Sequence, residues 1–466
     1  MSAFFCWTNF IHDYLRIFAK NYNLISLPVE FEKRINESQF WDNNLLENLN
    51  TVAPVSVRIN PSKVRADLSI SHPVSWSRSG YYLTERPVFT LDPLFHAGCY
   101  YPQEAGSMFI EYILDQLNIS RSSAFLDLCA APGGKSTLVS SWIDKTGFLV
   151  SNEIIPSRNV ILRENISKWG SVNVVVTGNQ PKDFQRLPSF FDVILVDAPC
   201  SGEGMFRKDP NSRLEWSVSN VHMCADRQRE IVEDVWDSLK PGGFLIYSTC
   251  TLNQFENEDN VRWICDNLDA EICEIKLPES VISGMDGIGS YFSPGHTESE
   301  GFFCAILRKC SYSHSKIKTK LRLKKLSHSS INHMNEYVDL TDLQIFEYKD
   351  SISACFDWHS HNIDMVFSTL NCTKLGVELG IPFPKKFEPS QELALSSLIN
   401  EEVVKNELSK EQALSYLKGE TFSIDTTKKG FQLVSYKNQS LGWINHLGNR
   451  FNNMYPKEWR IRMKIN

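Results

Sequence analysis

Ala124-Phe125-Leu126-Asp127-Leu128-Cys129-Ala130-Ala131-Pro132-Gly133-Gly134-Lys135-Ser136-Thr137 is the stretch that decides the fold. A short apolar run of strand length passes into a glycine turn, and a helix is predicted from there over residues 136–143. The same rhythm continues along the chain. Strands are expected at 147–151, 172–176, 193–196, 244–248 and 301–307, with helices at 157–169 and near 226–239. Strands alternating with helices make βαβ units, so residues 96–310 read as an α/β domain on a mostly parallel sheet. Pro241-Gly242-Gly243 reads as the punctuation that ends a helix before its strand.

Outside that block the organisation changes. Residues 1–95 form an N-terminal segment with a strand-like Val55-Ser56-Val57-Arg58-Ile59-Asn60-Pro61. Phe4-Phe5-Cys6-Trp7, soon interrupted by His12, Asp13 and Arg16, reads as an amphipathic helix and not as a leader peptide. Residues 311–340 are Ser/Lys/His-rich and look like a basic linker. Residues 341–466 are expected to form a small α+β extension, aromatic and basic at its end: Trp443, Tyr455, Trp459, Arg460, Arg462 and Lys464. Those side chains suit either stacking on unpaired bases or a small core.

Composition bounds the function. A chain of 466 residues holds two to four domains, and its net charge of −7 excludes a protein that is basic overall. A polyanion would have to be held by local patches. The clearest runs from Lys316 to Lys325, where cations alternate with apolar or small residues, as a cationic strand face or a solvated edge. Twelve cysteines without a Cys-x-x-Cys pair argue against a disulfide scaffold and against a thiolate-bound metal. A reduced cytoplasm is expected, and no stretch has the apolar length of a membrane span.

The loop after the first strand resembles two known phosphate cradles and fits neither. Gly134-Lys135-Ser136 ends like a P-loop, but the first glycine of that pattern falls on Cys129; Gly-x-Gly-x-x-Gly is absent as well. What remains is a small-molecule loop, Cys129-Ala130-Ala131-Pro132-Gly133-Gly134-Lys135, with Glu153 beyond the next strand to accept bonds from ribose hydroxyls. That suits an adenosine-containing ligand without a pyrophosphate, and S-adenosylmethionine is the natural candidate. Cys200 and Cys250 each lie just past an apolar strand, where ligands collect in open α/β sheets. Thiolate addition to carbon 6 of a cytosine would make carbon 5 nucleophilic, and a second thiol with an acid near N3 could undo the adduct. Asp197, at the same strand end as Cys200, is placed for the acid.

Asp197-Ala198-Pro199-Cys200-Ser201-Gly202-Glu203-Gly204, Ser248-Thr249-Cys250-Thr251 and the 129–135 loop resemble the motifs of the Nop/Sun family of RNA 5-methylcytosine methyltransferases. Arg58-Ile59-Asn60, the run from Tyr100 to Met108, Phe206-Arg207-Lys208-Asp209-Pro210 and Glu300-Gly301-Phe302-Phe303 extend the likeness over residues 50–310. Gly442-Trp443 and Asn453-Met454-Tyr455-Pro456 resemble the PUA-like RNA-binding extension of its bacterial members that modify small-subunit (16S) ribosomal RNA. The resemblance implies a Rossmann-like methyltransferase domain preceded by an RNA-contacting N-terminal segment over residues 1–95, with Cys250 as the nucleophile at carbon 6 and Cys200 assisting release. It implies S-adenosylmethionine and base contacts from Cys129 to Lys135, Glu153 and Asp197. Asn179, with Asp183 as its rival, stands where the family often places an aspartate near the adenine. Arg58, Arg207 and Lys208 are expected to meet RNA. Partners are then small-subunit ribosomal RNA or its subunit, without a membrane, for a monomeric enzyme. A transfer-RNA methyltransferase and a non-catalytic ribosome assembly factor are the alternatives.

Overall fold

The computed structural model describes residues 25–42, 44–311, 319–327, 331 and 333–463; the expected helix near residues 4–16, Lys316, Lys318 and Lys464 lie outside them. Strands β1 (Ala124–Asp127), β2 (Phe148–Asn152), β3 (Val174–Thr177), β4 (Phe191–Asp197) and β5 (Leu239–Thr249) are parallel, in the order β5-β4-β1-β2-β3. Strand β6 (Phe302–Lys309) runs antiparallel to β5. Strand β7 (Cys372–Leu375) comes from far downstream and pairs antiparallel with β3.

These strands are continuous apolar runs because helices cover both faces of the sheet. Their side chains sort by the period of two. Leu126, Phe148, Val150, Ile194 and Val196 pack on one side, and Phe125, Leu149, Val174, Val193 and Leu195 on the other. Each such burial is worth roughly 1.5–3 kcal/mol. Helices α1 (Gly134–Trp142), α2 (Pro156–Trp169), α3 (Val218–Trp236) and α4 (Glu258–Leu268) pack in the same domain, as does the helix Phe109–Gln116. α2 has proline at its first position and ends on Gly170 in the left-handed region, φ 88°.

One local reading is corrected. α3 stops at Trp236, and Pro241-Gly242-Gly243 lies inside β5. There the register with β4 slips between Phe191 and Val193, so the glycines build a bulge in a strand.

The sheet order reverses between β1 and β4. Chain leaving their carboxyl ends departs in opposite directions and opens a cleft. The N-terminal segment stands over it with an antiparallel sheet of Ser56–Ile59, Ile70–Pro73, Gly80–Leu83 and Tyr100–Pro102. Its helix Val29–Glu37 plants Phe31 edge-on against Phe206 and Trp216, with ring centroids 5.0 and 6.1 Å apart. Downstream lie a five-stranded sheet and a four-stranded sheet. Within the stretch expected as a linker, Lys324–Leu326 is the first strand of the former. Trp443 and Tyr455 are core residues: Trp443 is 1% exposed and donates to the Ser390 carbonyl at 2.7 Å, and Tyr455 packs in a core shared with Val57, Ile59 and Tyr100 of the N-terminal segment. Among the described residues no helix is long and apolar enough to cross a membrane.

Candidate active site

The cleft between β1 and β4 holds a cavity of about 280 Å³. Asp127, the 129–135 loop, Asp197, Lys208, Cys250, Glu300 and Phe302 are among the residues that line it. A larger hollow of about 420 Å³, walled by Asp67, Glu85, Asp92, Lys410 and Lys437 among others, has no thiol.

Gly133 carries the turn into α1 with φ 115°, which an L side chain rarely adopts, and a Cβ there would also press on Leu162 at 3.3 Å. The turn brings Gly134 and Lys135, the first residues of α1, to the cavity wall. Beneath it lies Asp127, fully buried: Oδ2 accepts from Ser136 at 2.6 Å, while Oδ1 has no partner. Burial pushes this carboxyl up to about 6, against the pull of Ser136 and Lys135. An unsatisfied acceptor in a cavity wall is the complement of an ammonium or hydroxyl donor. The amino group of S-adenosylmethionine supplies one, so the residues present fit that group.

Lys135 and Asp197 face each other at 2.9 Å, and Ser248 donates to the other Asp197 oxygen at 2.9 Å. Burial pulls the Lys135 ammonium down, but the charge and hydrogen bond of Asp197, together with the charges of Asp127 and Cys250, make the net shift upward. The ammonium also sits 5.2 Å over the Phe302 ring.

The two thiols meet at the carboxyl ends of β4 and β5. Their sulfurs are 3.0 Å apart, and the Cys250 amide donates to the Cys200 sulfur at 3.3 Å. Cys250 lines the cavity, whereas Cys200 is not among the lining residues. The hydrogen bond that its thiol gives to the Cys250 sulfur, and then burial, hold Cys200 well above the ordinary thiol range, so it keeps its proton at neutral pH. The close packing needs Gly204 and Gly301: a Cβ on Gly204 would lie 2.1 Å from the Gly301 carbonyl oxygen.

Other expected residues sit elsewhere. Glu153 is buried outside the cavity lining, accepting from the Ile155 amide at 2.8 Å with Arg158 at 3.5 Å. Asn179 is engaged too: its amide donates to Asp183 at 3.1 Å and accepts from the Asn371 amide at 2.9 Å. Arg58 is 1% exposed, stacked 4.4 Å over Trp169 and bonded to Gln103 and Gly134. It braces the start of α1 and does not face an RNA; burial lowers it to about 10. Arg207 is likewise inward, paired with Glu300 at 3.1 Å and donating to the Ser299 carbonyl at 2.7 Å. Of these three cations, Lys208 alone is exposed, at the cavity rim.

Sequence reasoning missed several participants. Asp127 was legible as a carboxylate at a strand end beside the glycine turn. Arg158, which ties Glu153 to the Ala131 carbonyl at 2.8 Å, gave no signal. Nor did Glu203 and Glu256, both fully buried next to the cysteines.

Comparison with known proteins bears on the whole chain. Residues 114–308 match the family model described as 16S rRNA methyltransferase RsmB/F. Residues 27–105 match the N-terminal domain of 16S rRNA methyltransferase RsmF, and 403–461 the methyltransferase RsmF PUA domain. Ribosomal RNA small subunit methyltransferase F of Shewanella loihica is 30% identical over 445 residues, covering 88% of this chain and 90% of that one. The protein of the same name from Pectobacterium atrosepticum is 28% identical, covering 86% and 89%. Among solved structures, a methyltransferase homologue from Pyrococcus horikoshii superposes with TM-score 0.51 at 27% identity, covering 60% of this chain and 98% of its own. NSun6 from the same organism, solved with SFG, gives TM-score 0.52 at 20% identity, covering 62% and 100%, a likeness of fold.

Proposed function

The chain belongs to the ribosomal RNA small subunit methyltransferase F family of 16S rRNA methyltransferases, and from that premise we propose how its residues work. They carry methyl transfer to carbon 5 of a cytosine in 16S ribosomal RNA, with Cys250 as nucleophile and Cys200 as the release group. One observation carries the assignment. Cys250 opens on the cavity between the glycine turn and Asp197, and Cys200 stands behind it at 3.0 Å.

S-adenosylmethionine supplies an electrophilic methyl group on a sulfonium. Asp127, the amides at the start of α1 and the 129–135 loop would hold it. The Cys250 thiolate adds to carbon 6 and the electron pair of the C5–C6 double bond moves into the ring, so carbon 5 becomes the nucleophile. Negative charge gathered at N3 is met by a proton delivered through the Lys135–Asp197 pair, which Ser248 orients.

Release needs the carbon 5 proton removed, the double bond re-formed and Cys250 expelled as a thiolate. The hydrogen bond that keeps Cys200 protonated is the one to Cys250. Once Cys250 is bonded to carbon 6 that partner is lost; Cys200 then gives its own proton to water. The resulting thiolate takes the carbon 5 proton as the double bond re-forms, Cys250 leaves as a thiolate and the N3 proton returns to the Lys135–Asp197 pair. In this sequence the second thiol becomes a base only after the first has bonded to the ring. The reading describes a monomeric cytoplasmic enzyme, with Lys208 at the mouth of the site for a backbone phosphate.

Bisulfite sequencing of ribosomal and transfer RNA, from cells with the gene and without it, tests the substrate. One 16S cytosine should lose its protection when the gene is absent. Loss confined to a transfer RNA would reassign the substrate, and no loss at all would overturn the activity.

A further inference from the structure

Two carboxylates beside the cysteines have no part in those steps. Glu203 lies three residues past Cys200, and its Oε2 accepts from the amide of Leu252, two residues past Cys250, at 3.0 Å. Glu256 lies six residues past Cys250, and its Oε2 accepts from the amide of Ser201, next to Cys200, at 3.0 Å. Each cysteine loop lends a carboxylate to the backbone of the other. A third tie, the Gly204 amide donating to the Cys250 carbonyl at 2.9 Å, closes the junction.

Both carboxylates are fully buried. Glu203 also accepts from Arg34 of the N-terminal helix at 2.6 Å and from the Trp216 indole at 3.0 Å. Glu256 has neutral donors only among its hydrogen bonds: the Ser201 hydroxyl, Asn253 at 2.8 Å and Gln228 at 2.7 Å, besides the Ser201 amide. Gln228 holds the Pro199 carbonyl as well, at 2.9 Å, so both neighbours of Cys200 hang from one side-chain cluster. Burying carboxylates costs several kcal/mol each unless every lone pair is met. A chain needing only a well-packed junction would do better with apolar side chains here. What four directional bonds on one carboxylate supply is position.

We infer that Glu256 and Glu203 are positioning residues, a reciprocal brace that holds Cys200 against Cys250 at the separation release requires. The inference rests on the cysteine roles proposed above. The two thiols come from different strand-to-loop turns, and a slip of about 1 Å between them would cost roughly a hundredfold in the proton transfer to Cys200 from carbon 5 of a base bonded to Cys250. Glu256 anchors the Cys200 side and Glu203 the Cys250 side. Through Arg34 the brace also reaches the N-terminal helix.

The test reads the sulfur separation without RNA or S-adenosylmethionine. Full-length protein is treated with diamide, which takes two electrons and two protons from the thiol pair to make the Cys200–Cys250 disulfide, quantified by peptide mass spectrometry. Glu256→Gln keeps the volume but turns an NH₂ toward donors. It should slow that disulfide about tenfold or more, with Cys250 alkylation by iodoacetamide changed less than about threefold. In single-turnover reactions it should raise the ratio of trapped protein–RNA adduct to released product by about tenfold. Glu203→Gln should act alike from the other arm. Disulfide formation within about twofold of the parent in both folded variants would overturn the brace. Should either fail to fold, Ser201→Ala removes only a hydroxyl from the same carboxylate: a slowing of about threefold supports the inference, and an unchanged rate overturns it. If Cys250→Ala still methylates RNA, the cysteine roles fail while the disulfide result stands by itself.

Discussion

Lowering the pH should loosen S-adenosylmethionine, and the size of the effect follows from one carboxyl. Asp127 is buried beneath the glycine turn with one oxygen unpartnered, and burial raises it from the ordinary 3.8 to about 6. An ammonium docked on that oxygen interacts with the carboxylate and not with the acid. At pH 7 about nine-tenths of Asp127 is ionised and at pH 5 about one-tenth, so affinity should fall about tenfold between them, roughly 1.4 kcal/mol. Isothermal titration of the free enzyme at pH 5, 6, 7 and 8 measures this directly. The curve should flatten above pH 7 and fall towards one decade per pH unit below 6. Asp127→Asn should bind more weakly at pH 7 and show no such slope. A flat profile in the parent, or affinity rising as pH falls, would refute the assignment of Asp127 to the ammonium.

The same shift has a sign for folding: the native state holds the proton more tightly than the unfolded chain does. Ionising Asp127 therefore penalises the ligand-free fold above pH 6 by about 3 kcal/mol, a penalty relieved as pH falls from 6 to 3.8.

Cys250→Ala should abolish methylation, whereas Cys200→Ala should form a protein–RNA adduct that survives a denaturing gel; no retarded band from Cys200→Ala would count against its release role. Arg207→Met leaves Glu300 buried without its partner and should cost about 3–5 kcal/mol in urea denaturation, with the salt dependence of RNA binding unchanged. Lys208→Ala should do the reverse, leaving stability alone and lowering the salt slope of RNA binding by about one. Gly204→Ala drives a Cβ to 2.1 Å from the Gly301 oxygen, so the loop after β4 must part from the chain entering β6. Its turnover should be lost while S-adenosylmethionine binding by calorimetry persists, because the glycine turn of α1 is untouched.

What could be read from sequence here was local. β1, the glycine turn and α1 are consecutive, and a strand period switching to a helical one is visible in a single line of residues. The cysteines were legible for the same reason, as thiols just past apolar strands. Side-chain direction was not. Arg58 and Arg207 have the chemistry of phosphate contacts, yet both turn inward, because carbonyls, Gln103 and Glu300 await them from segments distant in the chain. Glu203 and Glu256 were silent because their partners belong to another loop. The Pro241-Gly242-Gly243 misreading arose where one composition serves both a helix stop and a bulge. Asn179 was expected to be free for an adenine and is instead held by Asn371, nearly two hundred positions away by number.

That distant strand has a consequence for how the protein is made. β3 ends at Thr177, and the strand that covers its open edge begins at Cys372. A chain emerging from a ribosome at 5–20 residues per second would carry β3 bare for about 10–40 s. Through that interval the nascent protein offers an unpaired row of backbone donors and acceptors to anything nearby. Only when Cys372–Leu375 has been synthesised can the edge be masked. The order of synthesis thus sets a vulnerable window that the finished enzyme no longer has, and within it a chaperone would find the growing chain.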